Sequence, residues 1–257
     1  MNAELILQAR GLRKSFGALQ AVDGVNLDLR KGDITGLIGP NGAGKSTLFG
    51  LIAGETRPSS GQVLFQGHDI TGMKPEQVFR HGLARTFQIP RPFRKMTVLE
   101  NVMCAAPNQS GERFWSNWIQ PGVVAQQERE NRARAEDVLA FCNLTHMTQE
   151  MAGSLSGGQQ KLLELARVMM AEPRLILLDE PTAGVNPSLI EHLIDRVVEL
   201  NARGVSFLIV EHNMDLVMRI CARIVVMAQG RRIAEGTPAE VTVDRKVIDA
   251  YLGEVPA

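Results

Sequence analysis

The residues whose types and spacing point most clearly to a chemical function form a glycine-rich run, GPNGAGKST, at positions 39–47. The run matches the pattern G-x-x-x-x-G-K-[ST], in which small residues let successive backbone N–H groups converge on phosphate oxygens. The lysine would reach the β- and γ-phosphates of a nucleotide, and the serine hydroxyl would coordinate Mg²⁺. The residues assigned to nucleotide binding are therefore Gly39, Pro40, Asn41, Gly42, Ala43, Gly44, Lys45, Ser46 and Thr47.

A second chemical element is an acidic pair, Asp179 and Glu180, which directly follows the apolar segment Leu175–Leu178. Ligands of open α/β sheets bind outside the carboxyl ends of the strands. Asp179 is therefore predicted to hold Mg²⁺, directly or through water, and Glu180 to polarise the attacking water. An acidic pair by itself is as typical of a solvated strand end as of a catalytic site. The catalytic interpretation therefore depends on the upstream glycine-rich run.

A sheet and helices must hold these side chains in position. Along the sequence, β-type segments alternate with helical segments, and this alternation predicts an α/β fold with a largely parallel sheet. Continuous apolar runs predict buried strands, and alternating segments predict half-exposed antiparallel strands. The predicted buried strands are Ile34–Ile38, Leu175–Leu178, Val205–Val210 and Ile224–Met227, the antiparallel strands are Leu5–Ala9 and Val25–Leu29, and the edge strands are Gln62–Phe65 and Arg232–Ala234. The predicted helices are Lys45–Ala53, Gln126–Phe141, Gln159–Met170 and Leu189–Ala202.

Composition argues against several classes of protein. The 257 residues carry 28 basic and 28 acidic side chains, which argues against a strongly basic nucleic-acid-binding protein. No segment approaches the ~18 apolar residues that a membrane helix needs, and the amino terminus lacks a signal-peptide pattern. The three cysteines fit neither a disulfide framework nor a zinc site. We expect a cytosolic globular chain, in which Trp115 and Trp118 lie on a surface excursion that either docks a partner or packs on the body.

The segment Leu155–Gln159 (LSGGQ) precedes a predicted helix and lies upstream of the acidic strand end. With the glycine-rich run and the acidic pair, it resembles the signature of ATP-binding-cassette (ABC) ATPases, and the resemblance extends over nearly the whole chain. It implies a P-loop NTPase core with a mostly parallel sheet, an N-terminal antiparallel β subdomain and an α-helical signature subdomain. The implied division of the single domain 1–257 is a core lobe at 1–90 and 172–235, a helical subdomain at 91–171 and a C-terminal extension at 236–257.

The resemblance also implies roles for individual residues. Phe16 would stack on the adenine ring, Gln88 would contact Mg²⁺ and link the nucleotide to the transmembrane partner, and His212 would contact the γ-phosphate. One departure from the family pattern is Asn186, which stands where Asp is widespread and leaves the strength of signalling between subunits open. The implied cofactors are ATP and Mg²⁺, with Glu180, His212 and Lys45 as catalytic residues, Ser46, Gln88 and Asp179 as metal ligands, and Ser156, Gly157, Gly158 and Gln159 binding the nucleotide of a facing cassette.

Several segments resemble the LivG-type branch of branched-chain amino-acid importers. They are Arg85–Gln88, Met96–Val102, Ala183–Pro187, Glu211–Met214 and Ala250–Glu254. The branch implies a peripheral subunit at the cytoplasmic face of the inner membrane, which couples ATP-driven dimer closure to uptake of branched-chain or hydrophobic amino acids. The implied partners are a second, related but different ATPase chain, transmembrane permease subunits and, indirectly, a secreted substrate-binding protein, with no nucleic acid.

Three alternatives stay open. Related ATPases serve urea and amide uptake, and the YLGE ending also occurs in the ATPase of lipopolysaccharide export, so the cargo is not decided. A soluble cassette ATPase acting on DNA or ribosomes is disfavoured because the chain has neither a fused second cassette nor a long coiled coil. A regulator that binds nucleotide without hydrolysing it is disfavoured because both Glu180 and His212 are present.

Overall fold

A computed structural model describes residues 4–86, 90–107, 109 and 121–252. Gln88, Trp115 and Trp118 lie outside the described residues, so their predicted roles stay predictions. The strands are β1 (Leu5–Phe16), β2 (Leu19–Arg30), β3 (Ile34–Ile38), β4 (Ser60–Phe65), β5 (His68–Asp69), β6 (Leu83–Arg85), β7 (Leu175–Asp179), β8 (Ser206–Val210), β9 (Arg223–Ala228) and β10 (Arg231–Gly236). The helices are α1 (Lys45–Ile52), α2 (Pro75–Arg80), α3 (Val98–Met103), α4 (Pro121–Phe141), α5 (Gly157–Met169), α6 (Pro187–Ala202), α7 (Met214–Ile220), α8 (Pro238–Thr242) and α9 (Arg245–Leu252).

The chain divides into two compact units. The first comprises residues 1–88, 173–182 and 198–257, and the second comprises residues 89–172 and 183–197. The division expected from the sequence left 183–197 in the core lobe. The roles assigned to the lobes stay predictions.

A six-stranded sheet in the order β10-β9-β3-β8-β7-β6 forms the centre of the first unit. All its neighbouring strands are parallel except β10, which runs antiparallel to β9. Every residue of β3, β7 and β8 is buried, as their continuous apolar sequences require. The predicted α/β fold with a mostly parallel sheet is confirmed, and the carboxyl ends of β3, β7 and β8 share one edge of the sheet.

A four-stranded antiparallel sheet, in the order β2-β1-β4-β5, belongs to the same unit. Alternating buried residues of β1 and β2 join one hydrophobic core with α1 and with β3, β7, β8 and β9. The prediction that Gln62–Phe65 is an edge strand is wrong, because the two-residue strand β5 pairs with the outer side of β4. A two-residue strand shows no periodicity that could reveal it in the sequence.

The second unit is helical, and α3, α4 and α5 pack on one another. The start of α3 is fixed by a capping box, in which Glu100 N–H donates to Thr97 Oγ1 at 3.2 Å and Thr97 N–H donates to Glu100 Oε2 at 2.7 Å. The hydrogen bonds from Thr97 hold the pKa of the Glu100 carboxyl below its usual range. No described helix combines the length and the apolar character that crossing a bilayer requires.

The cysteines differ sharply in accessibility, since Cys142 and Cys221 are buried and Cys104 is exposed. Burial raises the pKa of each buried thiol to about 12, so both stay protonated and poorly nucleophilic at neutral pH. We expect a maleimide at neutral pH to label Cys104 in the native protein and all three cysteines in denaturant, which peptide mass spectrometry can measure. Equal labelling rates at Cys104 and Cys142 under native conditions would contradict this burial.

Candidate nucleotide-binding and hydrolysis site

The glycine-rich loop leaves the carboxyl end of β3 and leads into α1, and two of its glycines are required by close packing. Gly39 and Gly44 have φ values of 147° and 94°, which side chains of L-residues rarely allow. A Cβ at Gly39 would lie 2.0 Å from the backbone oxygen of Met227, and a Cβ at Gly44 would lie 2.3 Å from that of Ala21. The loop is therefore pressed between backbone segments from distant parts of the chain, and only glycine fits at these two positions.

Lys45 begins α1 and is 6% exposed. Its Nζ donates hydrogen bonds to the backbone oxygens of Gly39 at 2.6 Å and Pro40 at 2.8 Å. These contacts fold the ammonium group back over the loop, where the backbone N–H groups and the positive end of the α1 dipole also favour an anion. Phosphate oxygens are stronger partners for an ammonium than neutral carbonyls, so a phosphate chain can replace these contacts.

A cavity of about 600 Å³ opens beside this loop, a volume within the ~300–1,000 Å³ typical of small-molecule sites. Phe16 is 51% exposed at the cavity, and the Lys14 ammonium lies 5.0 Å from the centroid of its ring. An exposed aromatic ring supplies a stacking surface for a nucleobase. The cavity is lined by Phe16, Leu19, Gln20, Ala21, Asn41, Gly42, Ala43, Gly44, Lys45, Ser46, Thr47, Glu180, His212, Gln229 and Gly230.

The turn between β9 and β10 forms a wall of this cavity, which the sequence did not predict. Gly230 N–H donates to the backbone oxygen of Ala43 in the loop at 3.0 Å, and Asp23 N–H donates to the oxygen of Gly230 at 2.8 Å. The carboxylate of Asp23 also pairs with Arg231 at 2.6 Å. The turn and the start of β2 therefore support the glycine-rich loop from behind.

Glu180 and His212 meet at the same cavity. Glu180 Oε1 and His212 Nε2 lie 3.2 Å apart, within hydrogen-bonding distance. Glu180 has a left-handed backbone with φ of 47°, and its N–H donates to the oxygen of Val210 at 2.9 Å. A carboxylate beside an imidazole, next to a phosphate-binding loop, is an arrangement that can accept a proton from water and stabilise the charge that develops.

Asp179 ends β7 and is nearly buried, with its Oδ2 accepting a hydrogen bond from Arg85 Nη2 at 2.7 Å. The other terminal nitrogen of Arg85 donates to Glu55 Oε2 at 2.6 Å, and the guanidinium lies 5.7 Å from the centroid of the Phe49 ring. The Asp179 carboxylate and the Ser46 hydroxyl are hard oxygen donors, the ligand type that Mg²⁺ prefers. The residues present therefore fit the predicted ion, and Arg85 holds the carboxylate in place.

The segment Leu155–Gln159 belongs to the second unit, where Ser156 is the N-cap of α5. Gln159 N–H donates to Ser156 Oγ at 3.4 Å, and Ser156 N–H donates to Gln159 Oε1 at 2.9 Å. Gly158 is packed so tightly that a Cβ there would lie 2.5 Å from a methyl group of Leu189. Ser156 and Gly157 are exposed, so the positive end of α5 faces outward and can receive an anion from another molecule.

Comparison with known proteins now decides the family. A family model described as "ABC transporter" matches residues 22–183, which is more than half of the chain. The chain belongs to the ABC transporter family. A second family model, described as "Branched-chain amino acid ATP-binding cassette transporter", matches residues 231–257 of this cassette.

Individual relatives of the cassette are similar over almost their whole length. It is 46% identical over 248 residues to the "Probable branched-chain amino acid transport ATP-binding protein LivG" of Archaeoglobus fulgidus, covering 96% of this chain and 95% of that protein. It is 40% identical over 250 residues to the "High-affinity branched-chain amino acid transport ATP-binding protein BraF" of Pseudomonas aeruginosa, covering 97% and 98%. Among solved structures, an ATP-binding cassette of an ABC transporter in its ADP conformation is 39% identical, with a TM-score of 0.82 and coverage of 97% and 99%.

In this ABC cassette, the departure at Asn186 has a local structural explanation. The backbone oxygen of Asn186 accepts hydrogen bonds from Leu189 N–H at 3.0 Å and Ile190 N–H at 3.1 Å, which makes Asn186 the residue that precedes the first turn of α6. Asn and Asp are about equally favourable at this position. The substitution therefore keeps the helix start, while the negative charge is lost.

Proposed function

We propose that this cassette is the ATP-hydrolysing subunit of an importer for branched-chain amino acids. One observation supports the proposed ATP hydrolysis: the glycine-rich loop lines the same cavity as Glu180 and His212. The cargo is supported by the names of the relatives that match nearly the full chain. Urea and amides are alternative cargoes that an uptake assay separates from branched-chain amino acids.

Binding would use groups that the cavity already presents. The adenine ring would stack on Phe16, and backbone N–H groups of the loop would hold the phosphate oxygens. Lys45 would exchange the carbonyls of Gly39 and Pro40 for phosphate oxygens, with the positive end of α1 adding to the attraction. When bound, Mg²⁺ would be held by Ser46 and Asp179, with Gln88 as the further predicted ligand, and would neutralise phosphate charge.

Hydrolysis would begin with a water aligned on the γ-phosphate and polarised by the Glu180 carboxylate. As this water attacks, its proton moves to Glu180 while the bond between the β- and γ-phosphates breaks. His212, 3.2 Å from Glu180 Oε1, would hold the carboxylate and contact the γ-phosphate. The outcome is ADP and inorganic phosphate, formed without a covalent enzyme intermediate.

We propose that a second cassette completes the site, since Ser156 and Gly157 at the N-terminus of α5 are exposed and the positive end of the helix attracts a phosphate. The proposed arrangement is head to tail, with each nucleotide between one loop and the partner's Ser156–Gln159 segment. Closure excludes water and completes the set of charge-stabilising groups around the γ-phosphate. We propose that the facing chain is a related but different ATPase and that both chains sit on permease subunits at the cytoplasmic face of the membrane.

The proposal is tested by placing a charge at Gly157, which is exposed and where a Cβ would lie 3.8 Å from the backbone oxygen of Gly184, an ordinary van der Waals distance. We expect Gly157→Asp to repel the partner's nucleotide and lower turnover at least ~10-fold, with unchanged ATP affinity of the monomer. Gly157→Ala is the matched control, because it makes the same backbone change without the charge. A rate per chain that is independent of dilution, together with an active Gly157→Asp, would refute the dimeric mechanism.

Identifying the cargo requires a transport assay. Proteoliposomes containing this cassette with its proposed permease and ATPase partners, supplied with the binding protein, should accumulate labelled leucine, isoleucine and valine in an ATP-dependent manner. Uptake of urea or an amide without leucine uptake would replace the cargo assignment and leave the ATPase assignment intact.

A further inference from the structure

Glu211 is a buried acidic residue that the proposed reaction does not use. It directly follows β8 and precedes His212, and it is only 3% exposed. An ionised carboxylate is almost never buried unless other groups compensate its charge. The hydrogen bonds of this carboxylate therefore indicate what Glu211 does.

Both oxygens of the Glu211 carboxylate accept two hydrogen bonds each. Oε1 accepts from the N–H of Thr182 at 2.8 Å and from its hydroxyl at 2.6 Å. Oε2 accepts from the N–H of His212 at 3.0 Å and from that of Asn213 at 3.3 Å. One buried side chain thus joins the segment after β7 to the segment after β8.

These two segments carry the pair of side chains that meets at the cavity. Glu180 lies two residues before Thr182 and has the left-handed φ of 47°, a conformation that persists in a non-glycine residue only when its surroundings enforce it. Its own N–H is bonded to Val210, the residue before Glu211. The backbone on both sides of the Glu180–His212 contact is therefore fixed by β8 and by the Glu211 carboxylate.

We propose that Glu211 is a positioning residue for ATP hydrolysis, which sets the separation of Glu180 and His212 by cross-linking their backbones. This inference rests on the proposed function. Among the described residues, Glu211 makes no hydrogen bond to the glycine-rich loop or to Phe16, so we expect its loss to change ATP affinity much less than turnover. Its effect falls on the chemical step.

The cross-link requires a carboxylate at residue 211, because four hydrogen-bond donors converge on its two acceptor oxygens. A glutamine has a single acceptor oxygen, and its amide group would point a donor at two of the existing donors. Facing Thr182, the amide could turn the hydroxyl into an acceptor, but it would still oppose the backbone N–H. Facing His212 and Asn213, it would oppose two backbone N–H groups, so neither orientation restores the cross-link.

The test is Glu211→Gln, assayed for steady-state ATPase activity, ATP affinity by calorimetry and thermal unfolding. We expect kcat to fall at least ~10-fold, with KM and the dissociation constant for ATP changed less than ~3-fold. Glu199→Gln is the matched control, since Glu199 is half-exposed on α6, pairs with Arg203 away from the cavity and undergoes the same chemical change. A kcat within twofold of the parent protein would overturn the inference, and so would a proportional loss of ATP affinity.

A milder variant keeps the inference testable if Glu211→Gln fails to fold. Thr182→Val removes one of the four donors and retains the backbone N–H, so a partial loss of kcat is expected. In a folded Glu211→Gln background the same change should have a smaller effect, because both substitutions break the same link. Full additivity, or no effect of Thr182→Val, would contradict the cross-link.

The outcome is distinguishable from failure of the proposed function itself. Glu180→Gln assayed in parallel decides whether Glu180 is needed at all. If Glu180→Gln is inactive and Glu211→Gln is normal, the positioning role alone is wrong. If Glu180→Gln retains full turnover, the proposed mechanism fails whatever Glu211→Gln does.

Discussion

Glu180→Gln should bind Mg·ATP with nearly unchanged affinity and hydrolyse it at least ~100-fold more slowly, since general-base catalysis commonly contributes 10²–10⁴-fold. Glutamine has the shape of glutamate and can still reach His212 Nε2 across the 3.2 Å contact. It cannot accept the proton of the attacking water. The measurements are steady-state phosphate release and calorimetric titration of ATP.

The same variant should trap the closed dimer, because bound ATP is neither hydrolysed nor released. Size-exclusion chromatography with light scattering, on this variant mixed with its proposed partner ATPase, would detect an ATP-dependent dimer that the unmodified cassette forms only transiently. Glu199→Gln should behave like the unmodified chain in both assays. Normal steady-state turnover by Glu180→Gln would remove Glu180 from its assigned role.

Lys45→Ala should lose at least ~100-fold in ATP affinity, because each charge-assisted hydrogen bond to phosphate contributes about 1.5–3 kcal/mol and Lys45 can make two. In the structure its ammonium already makes two hydrogen bonds, to the carbonyls of Gly39 and Pro40, at the position that phosphates would take over. Calorimetric titration of ATP measures the loss directly.

The control for Lys45→Ala is Lys31→Ala, which removes an exposed ammonium paired with Glu4 at 2.9 Å. It should leave ATP affinity unchanged, since surface ion pairs contribute little. Circular dichroism of both variants checks that the fold is retained. An affinity within fivefold of the unmodified chain in a folded Lys45→Ala would show that the glycine-rich loop binds phosphate without its lysine.

Local sequence patterns predicted the elements that position the site. The apolar runs of β3, β7 and β8 are long enough and buried enough to be found by hydropathy alone, and the predicted bounds differ from the observed ones by a residue at most. The start of α3 also has a local sequence signal, because Thr97 and Glu100 have the spacing of a capping box, although no helix was predicted there.

The contacts that hold the site together were not predictable in this way. Arg85 joins Asp179 to Glu55, and Glu211 joins His212 to Thr182, across large separations in the chain. No periodicity or short motif encodes such pairs, because they depend on which strands become neighbours in the sheet. The carboxyl ends of β7 and β8 become adjacent only when the six-stranded sheet forms.

The packing of the β9–β10 turn against the glycine-rich loop has a consequence for biosynthesis. The phosphate-binding motif leaves the ribosome long before Gly230, whose N–H supports Ala43. A nascent polypeptide that stops short of β9 lacks both this wall and a central strand beside β3. Nucleotide capture should therefore wait until β9 and β10 have been translated and have packed against the loop.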